Sequence, residues 1–169
     1  AIGWQAAATN QGQWAVAIGG GAGTSQKDQT VAIGNFAGSM SQNTGSVAIG
    51  YNAATSFQAP YALALGYSAG MNYQGTGSVA IGMAAGLNHI GANSIAIGSS
   101  AGLNTATTSS IIINATGVAL NAPTLGLYVA PIRSSVTATN TLYYNTLTNE
   151  VTYSLSLIHI SEPTRPERI

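Results

Sequence analysis

Few residues of this 169-residue chain are of a type that does chemistry. Only 5% is charged, and Lys27, Asp28, Arg133, Glu150, Glu162, Arg165, Glu167 and Arg168 cancel to zero. A typical soluble domain carries roughly 25% charged residues. General acid–base catalysis needs paired, tuned carboxylates or a histidine with a partner. Asp28 is the one carboxylate before Glu150, so neither a carbohydrate-active enzyme nor any other catalyst is expected. With no cysteine, disulfides and thiolate metal sites are excluded. His89 lies in a polar stretch, where a solvated or packed loop role is expected rather than metal ligation, and Lys27-Asp28 reads as a solvated loop pair. Gly19-Gly20-Gly21-Ala22-Gly23 fits neither glycine-rich phosphate-binding pattern, and no helix signal follows it. No cofactor or metal is therefore expected. The chain has no basic patch for nucleic acid and no apolar run near the ~18 residues of a transmembrane helix. Asn114-Ala115-Thr116 is a formal glycosylation sequon.

What positions these residues is an internal repeat. Val-Ala-Ile-Gly recurs at 16–19, 31–34, 47–50 and 79–82, with Leu-Ala-Leu-Gly at 63–66 and Ile-Ala-Ile-Gly at 95–98. Ala1-Ile2-Gly3 is a truncated copy, and Ile111-Ile112-Ile113-Asn114 a degenerate one. The closing residue falls every 16 positions, except for a spacing of 15 between Gly19 and Gly34. Ala-Gly follows at the same phase in most copies, and a polar stretch, expected as an exposed loop, completes the unit. The reading is a strand, a tight bend, a second short segment and a return, stacked at about 4.8 Å into a parallel β-solenoid.

Within the strands, alternation puts both β-branched residues on one side and the alanine on the other. The expected repeat core is Val16, Ile18, Val31, Ile33, Val47, Ile49, Leu63, Leu65, Val79, Ile81, Ile95 and Ile97. Gly19, Gly34, Gly50, Gly66, Gly82 and Gly98 turn the chain, with Asn114 sharing their need for positive φ. On this reading Ile49 points inward and Ile49→Asp abolishes folding. The alanine side offers a close-packed contact to other chains, and so small a core favours an oligomer. Tyr51 and Tyr67 sit one coil apart, as a stacked pair and a candidate surface contact. Thr is scattered, so an ice-binding array is not expected.

Val-Ala-Ile-Gly-x-x-Ala-Gly, preceded by Gly-Ser or Asn-Ser, resembles the head repeat of YadA-like trimeric autotransporter adhesins over residues 1–117. The resemblance implies a left-handed parallel β-roll, a homotrimer with a shared core, and an adhesive head displayed at the cell surface through the outer membrane. The family's usual period is nearer fourteen, and similar repeats resemble parts of viral and phage fibres. The alternative is therefore a virion or tail-fibre segment acting in assembly and receptor binding.

Residues 118–154 depart from the repeat. Thr141-Leu142-Tyr143-Tyr144-Asn145 and Glu150-Val151-Thr152-Tyr153 flank a turn and predict a β-hairpin. This connector is similar to the segment ahead of intramolecular-chaperone domains in viral fibres. Leu155-Ser156-Leu157-Ile158-His159-Ile160-Ser161-Glu162-Pro163-Thr164-Arg165 resembles a translated sequencing-library adapter, residue for residue. Residues 155–169 are therefore set aside as an artefact tail, and the natural chain is expected to continue beyond Ser154.

Overall fold

The computed structural model describes residues 1–132 and 140–155; Arg133 and the adapter-like residues after Leu155 lie outside the described residues. All regular structure described is β. Six three-residue strands carry the repeat: β1 (Val16–Ile18), β2 (Val31–Ile33), β3 (Val47–Ile49), β4 (Leu63–Leu65), β5 (Val79–Ile81) and β6 (Ile95–Ile97). They are followed by β7 (Ala101–Ala106), β8 (Ser110–Asn114), β9 (Leu120–Ala122) and β10 (Gly126–Ala130). Strands β1 to β6, β8 and β10 form one parallel sheet, each paired in register with the coil before it. These coils belong to one compact unit, Ala1–Ile132. In the second unit, β11 (Asn140–Asn145) and β12 (Glu150–Leu155) pair antiparallel as the predicted hairpin.

The chain is thus a parallel β-solenoid of about 16-residue coils. Its second wall lies where the sequence suggested an exposed loop. Single-residue parallel bridges join Gln26, Gln42, Gln58, Gln74, Ile90 and Ala106 in succession. All four glutamines are buried. Gln42 Nε2 donates to the Val31 carbonyl at 2.7 Å, and Gln58 Nε2 to the Val47 carbonyl at 2.7 Å and Gln74 Oε1 at 3.1 Å. A buried amide costs free energy unless it is bonded in this way.

The expected inward orientation of Val and Ile is reversed. The middle alanines of the strands, Ala17, Ala32, Ala48, Ala64, Ala80 and Ala96, are at most 1% exposed, whereas Val16, Ile18, Leu65 and Ile97 are 38–40% exposed. Their strand mates Val31, Ile33, Val47, Ile49, Leu63, Val79, Ile81 and Ile95 are only half-buried. The physical reason is girth. The interior is filled by the strand Ala, the Ala of each Ala-Gly pair, the glutamine column and Thr30, Ser46, Ser78 and Ser94. With a glutamine lying across the interior, no room is left for a second large side chain at the strand position. The alanine face is accordingly the roll's interior rather than a contact to other chains, and Ile49→Asp no longer strikes the inside of the coil. Where the strand Ala becomes Ile112, the facing residue shrinks to Ala106, which keeps the filled volume nearly constant.

The bend glycines do more than supply positive φ. Gly50 holds φ 130°, and a Cβ there would lie 2.5 Å from the Gly66 carbonyl oxygen of the next coil. Asn114, at the same phase, shows no positive φ; strand β8 simply runs through it. The Gly of the Ala-Gly pair is a milder case. Gly38 sits at φ 54°, and the atom a Cβ would meet is the end of the Gln42 side chain, while Ala54 already occupies this phase at φ 47° beside Gln58.

Gly38→Ala is therefore expected to cost about 1–2 kcal/mol, the penalty for an L-residue in the left-handed region. Gly50→Ala is expected to cost several-fold more, because backbone must move. Thermal melts of the two variants measure the difference, and equal losses would contradict the close-approach explanation.

Candidate functional site: the outward face of the sheet

Reversal of the strands makes a continuous outer surface. The first outward column is Val16, Val31, Val47, Leu63, Val79, Ile95, Ile111 and Leu127; the second is Ile18, Ile33, Ile49, Leu65, Ile81, Ile97, Ile113 and Val129. Every one of these side chains is apolar. Fully burying such a side chain is worth about 1.5–3 kcal/mol, so covering the share left exposed is worth on the order of 1 kcal/mol each. A face of this extent, without a polar break, marks an interaction surface.

The last pair belongs to a coil that the sequence reading missed. Leu127 and Val129 lie 16 residues beyond Ile111 and Ile113, and Ala122 lies 16 beyond Ala106. The signal was present in the phase, but Ala130 stands where Gly or Asn closes the other copies. The glutamine column went unread for a similar reason, because its 16-residue recurrence is embedded in variable polar residues.

Aromatic side chains stack along the axis. Tyr51 and Tyr67 have ring centroids 5.3 Å apart and planes 9° from parallel, with 47% and 57% of their surfaces exposed. A second column runs Phe57, Tyr73, His89, with centroid spacings of 5.2 and 4.8 Å. His89 is thus a stacked loop residue. In both columns rings cover one another's faces and turn their edges outward. Beside the second column, Asn72 donates to Asn88 and Asn88 to Asn104, each at 2.8 Å.

The remaining candidates fold into the scaffold. Asn114 is 2% exposed and its Nδ2 donates to the Ser99 and Val118 carbonyls at 2.8 and 2.7 Å, so the sequon amide is occupied. The Gly19–Gly23 run forms a coil bend, and Gly23 lies against the Gln26 side chain. The Asp28 carboxylate accepts the Gln13 backbone N–H at 2.8 Å. Among the described residues no cluster of three His, Cys, Asp or Glu side chains is placed to hold a metal, and no helix is long and apolar enough to cross a membrane.

Residues 11–37 and 41–69 match the YadA head domain repeat, in two copies. Neither the curated proteins nor the solved structures give a match. The matched repeat is a structural β-solenoid unit of adhesins, not an enzymatic one.

A double-mutant cycle over Tyr51→Ala and Tyr67→Ala is expected to give a coupling of about 0.5–1.5 kcal/mol in thermal unfolding. Additive losses would mean that the two rings do not stabilise the coil by stacking.

Proposed function

From a chain that carries YadA-like head repeats, we propose a head segment of a homotrimeric fibre, displayed at a cell surface and attaching it to a host or to an abiotic surface. Three copies bring their Val/Ile columns together into a shared core, and the polar loops stay outside. The observation that carries this reading is the in-register apolar face, which runs from β1 to β10. A single roll cannot cover that face, because its own interior is closed by alanine, serine and glutamine. Two further copies offer the same columns at the same spacing, which suits a symmetric assembly. The residues first read as each coil's own core then become the core between chains. Three sets of loops on one head also raise the apparent affinity for a surface well above that of one chain.

Sedimentation of the full chain is expected to give a trimer; a stable, well-folded monomer at micromolar concentration would overturn the assembly. Ile49→Asp buries three carboxylates in the shared core, a penalty of several kcal/mol per ion. It is expected to dissociate the trimer, whereas Ala48→Asp, aimed into the roll, is expected to unfold it. A trimer that tolerates Ile49→Asp would place the contact elsewhere.

A further inference from the structure

The period breaks in one place. Gln42 lies four positions after Gly38 and Gln74 four after Gly70, but Gln26 lies only three after Gly23. Against this short coil lies an open hollow of about 450 Å³, whose walls include Asn10, Gln11, Gln13, Lys27, Asp28 and Thr44. That volume is within the roughly 300–1,000 Å³ range of small-molecule sites. The walls carry amides, a hydroxyl, an ammonium and a carboxylate. Lys27 and Asp28 are also the roll's only charged residues among 1–132. At their phase the other coils have Asn43 and Thr44, Ala59 and Pro60, Gly75 and Thr76, or Gly91 and Ala92.

We infer that this hollow binds an uncharged oligosaccharide. The inference deepens the attachment reading proposed above and rests on it. Sugar hydroxyls donate and accept at once, and neighbouring hydroxyls pair well with a carboxylate or a side-chain amide that offers adjacent sites. Asp28 is already fixed at the wall, because one oxygen accepts the Gln13 N–H at 2.8 Å, leaving the other to accept from a ligand. Gln11 is fixed as well, through its Nε2 bond to the Ala15 carbonyl at 3.0 Å, which leaves its Oε1 as an acceptor. Lys27 brings three donors. Adjacent opposite charges cancel beyond a few ångströms, so the site has no field that selects an anion or a cation.

A second observation concerns Trp14, which follows the wall residue Gln13 in the chain and lies outside the hollow's own lining. It is 77% exposed at φ 55°, and no ring is stacked on it among the described residues. The tyrosine and phenylalanine columns spend their faces on one another. Trp14 instead keeps an indole face open, and the electron-rich face of an aromatic ring suits the C–H surface of a sugar ring. Gln29, Gly45, Tyr61, Gly77, Asn93 and Ser109 share its phase and its positive φ, so the coil itself does not require an aromatic side chain there.

The repeat itself supplies substitutions compatible with the coil: Trp14→Gly as at Gly45, Lys27→Asn as at Asn43, and Asp28→Thr as at Thr44. The full chain and each variant are applied to a printed array of neutral hexose and N-acetylhexosamine oligosaccharides, with sialylated and sulfated counterparts. Captured sugars are then titrated in solution, and the same samples are sedimented. The chain is expected to retain at least one neutral oligosaccharide. Trp14→Gly and Asp28→Thr are each expected to weaken it about ten-fold or more, the scale of one lost charge-assisted hydrogen bond or its equivalent, with unchanged sedimentation. Absence of neutral-sugar binding by a chain that sediments as a trimer would overturn the site and leave the trimer standing. Preference for the charged sugars, or binding that survives all three substitutions, would also overturn it. A monomer that binds and loses the sugar in these variants would support the site while removing the trimer.

Discussion

Backbone stacked directly on backbone, at the strand spacing of about 4.8 Å, is the constraint from which the rest of this roll follows. At each bend the next coil's carbonyl lies where a Cβ would be, within 2.5–2.7 Å at Gly34, Gly50 and Gly66, so these positions stay glycine. Equal coil length then puts like residues above one another, and the side chains form columns of glutamine, asparagine or aromatic rings. The same geometry accounts for the scarcity of charge. A charged residue repeated at one phase would face its own copies at strand spacing, where like charges repel. Lys27 and Asp28 are tolerated because Gly12 and Asn43, or Gln13 and Thr44, flank them at the same phase.

Thinness is the second consequence. Between the two walls there is space for alanine, serine and a glutamine lying across the roll; the amide nitrogens donate to backbone carbonyls and, from Gln26 and Gln58, to the next glutamine, while the Gln26 and Gln58 oxygens have no partner. The interior gives each coil little apolar burial, while the outer columns hold most of its large aliphatic side chains. Hydrophobic stabilisation that an ordinary domain draws from its inside is here stored on one outer face. Adhesive function fits such a body, because association through that face leaves the loops on the other sides free to meet a surface.

Much of the fold was legible. The 16-residue phase, the alternating Val-x-Ile and the closing glycine predicted parallel coils with tight bends, and the two aromatic runs around Asn145–Asn149 predicted the hairpin of β11 and β12. The parts not read share a cause. Gln26, Gln42, Gln58 and Gln74 look like loop residues by type, and only their register across the coil shows that they line the interior. The coil ending at Ala130 lacks the closing Gly, although Leu127 and Val129 keep the phase. Tyr51 and Tyr67, by contrast, were read as a stacked pair from their one-coil spacing, and their rings lie 9° from parallel.

By itself the sequence determined the coil, its length, its bends and the existence of two unlike strand faces, because each of these is set by local sterics and by period. Which face is inside was decided only by the tertiary structure. Alternation separates Val and Ile from Ala but carries no sign, and hydrophobicity alone would put the larger side chains within. The distance between the walls, set by two bends of fixed size, admits one large side chain per coil, and where the glutamine column takes that place the strand contributes only alanine. That single dimension turned the expected core of each coil into the surface of the roll.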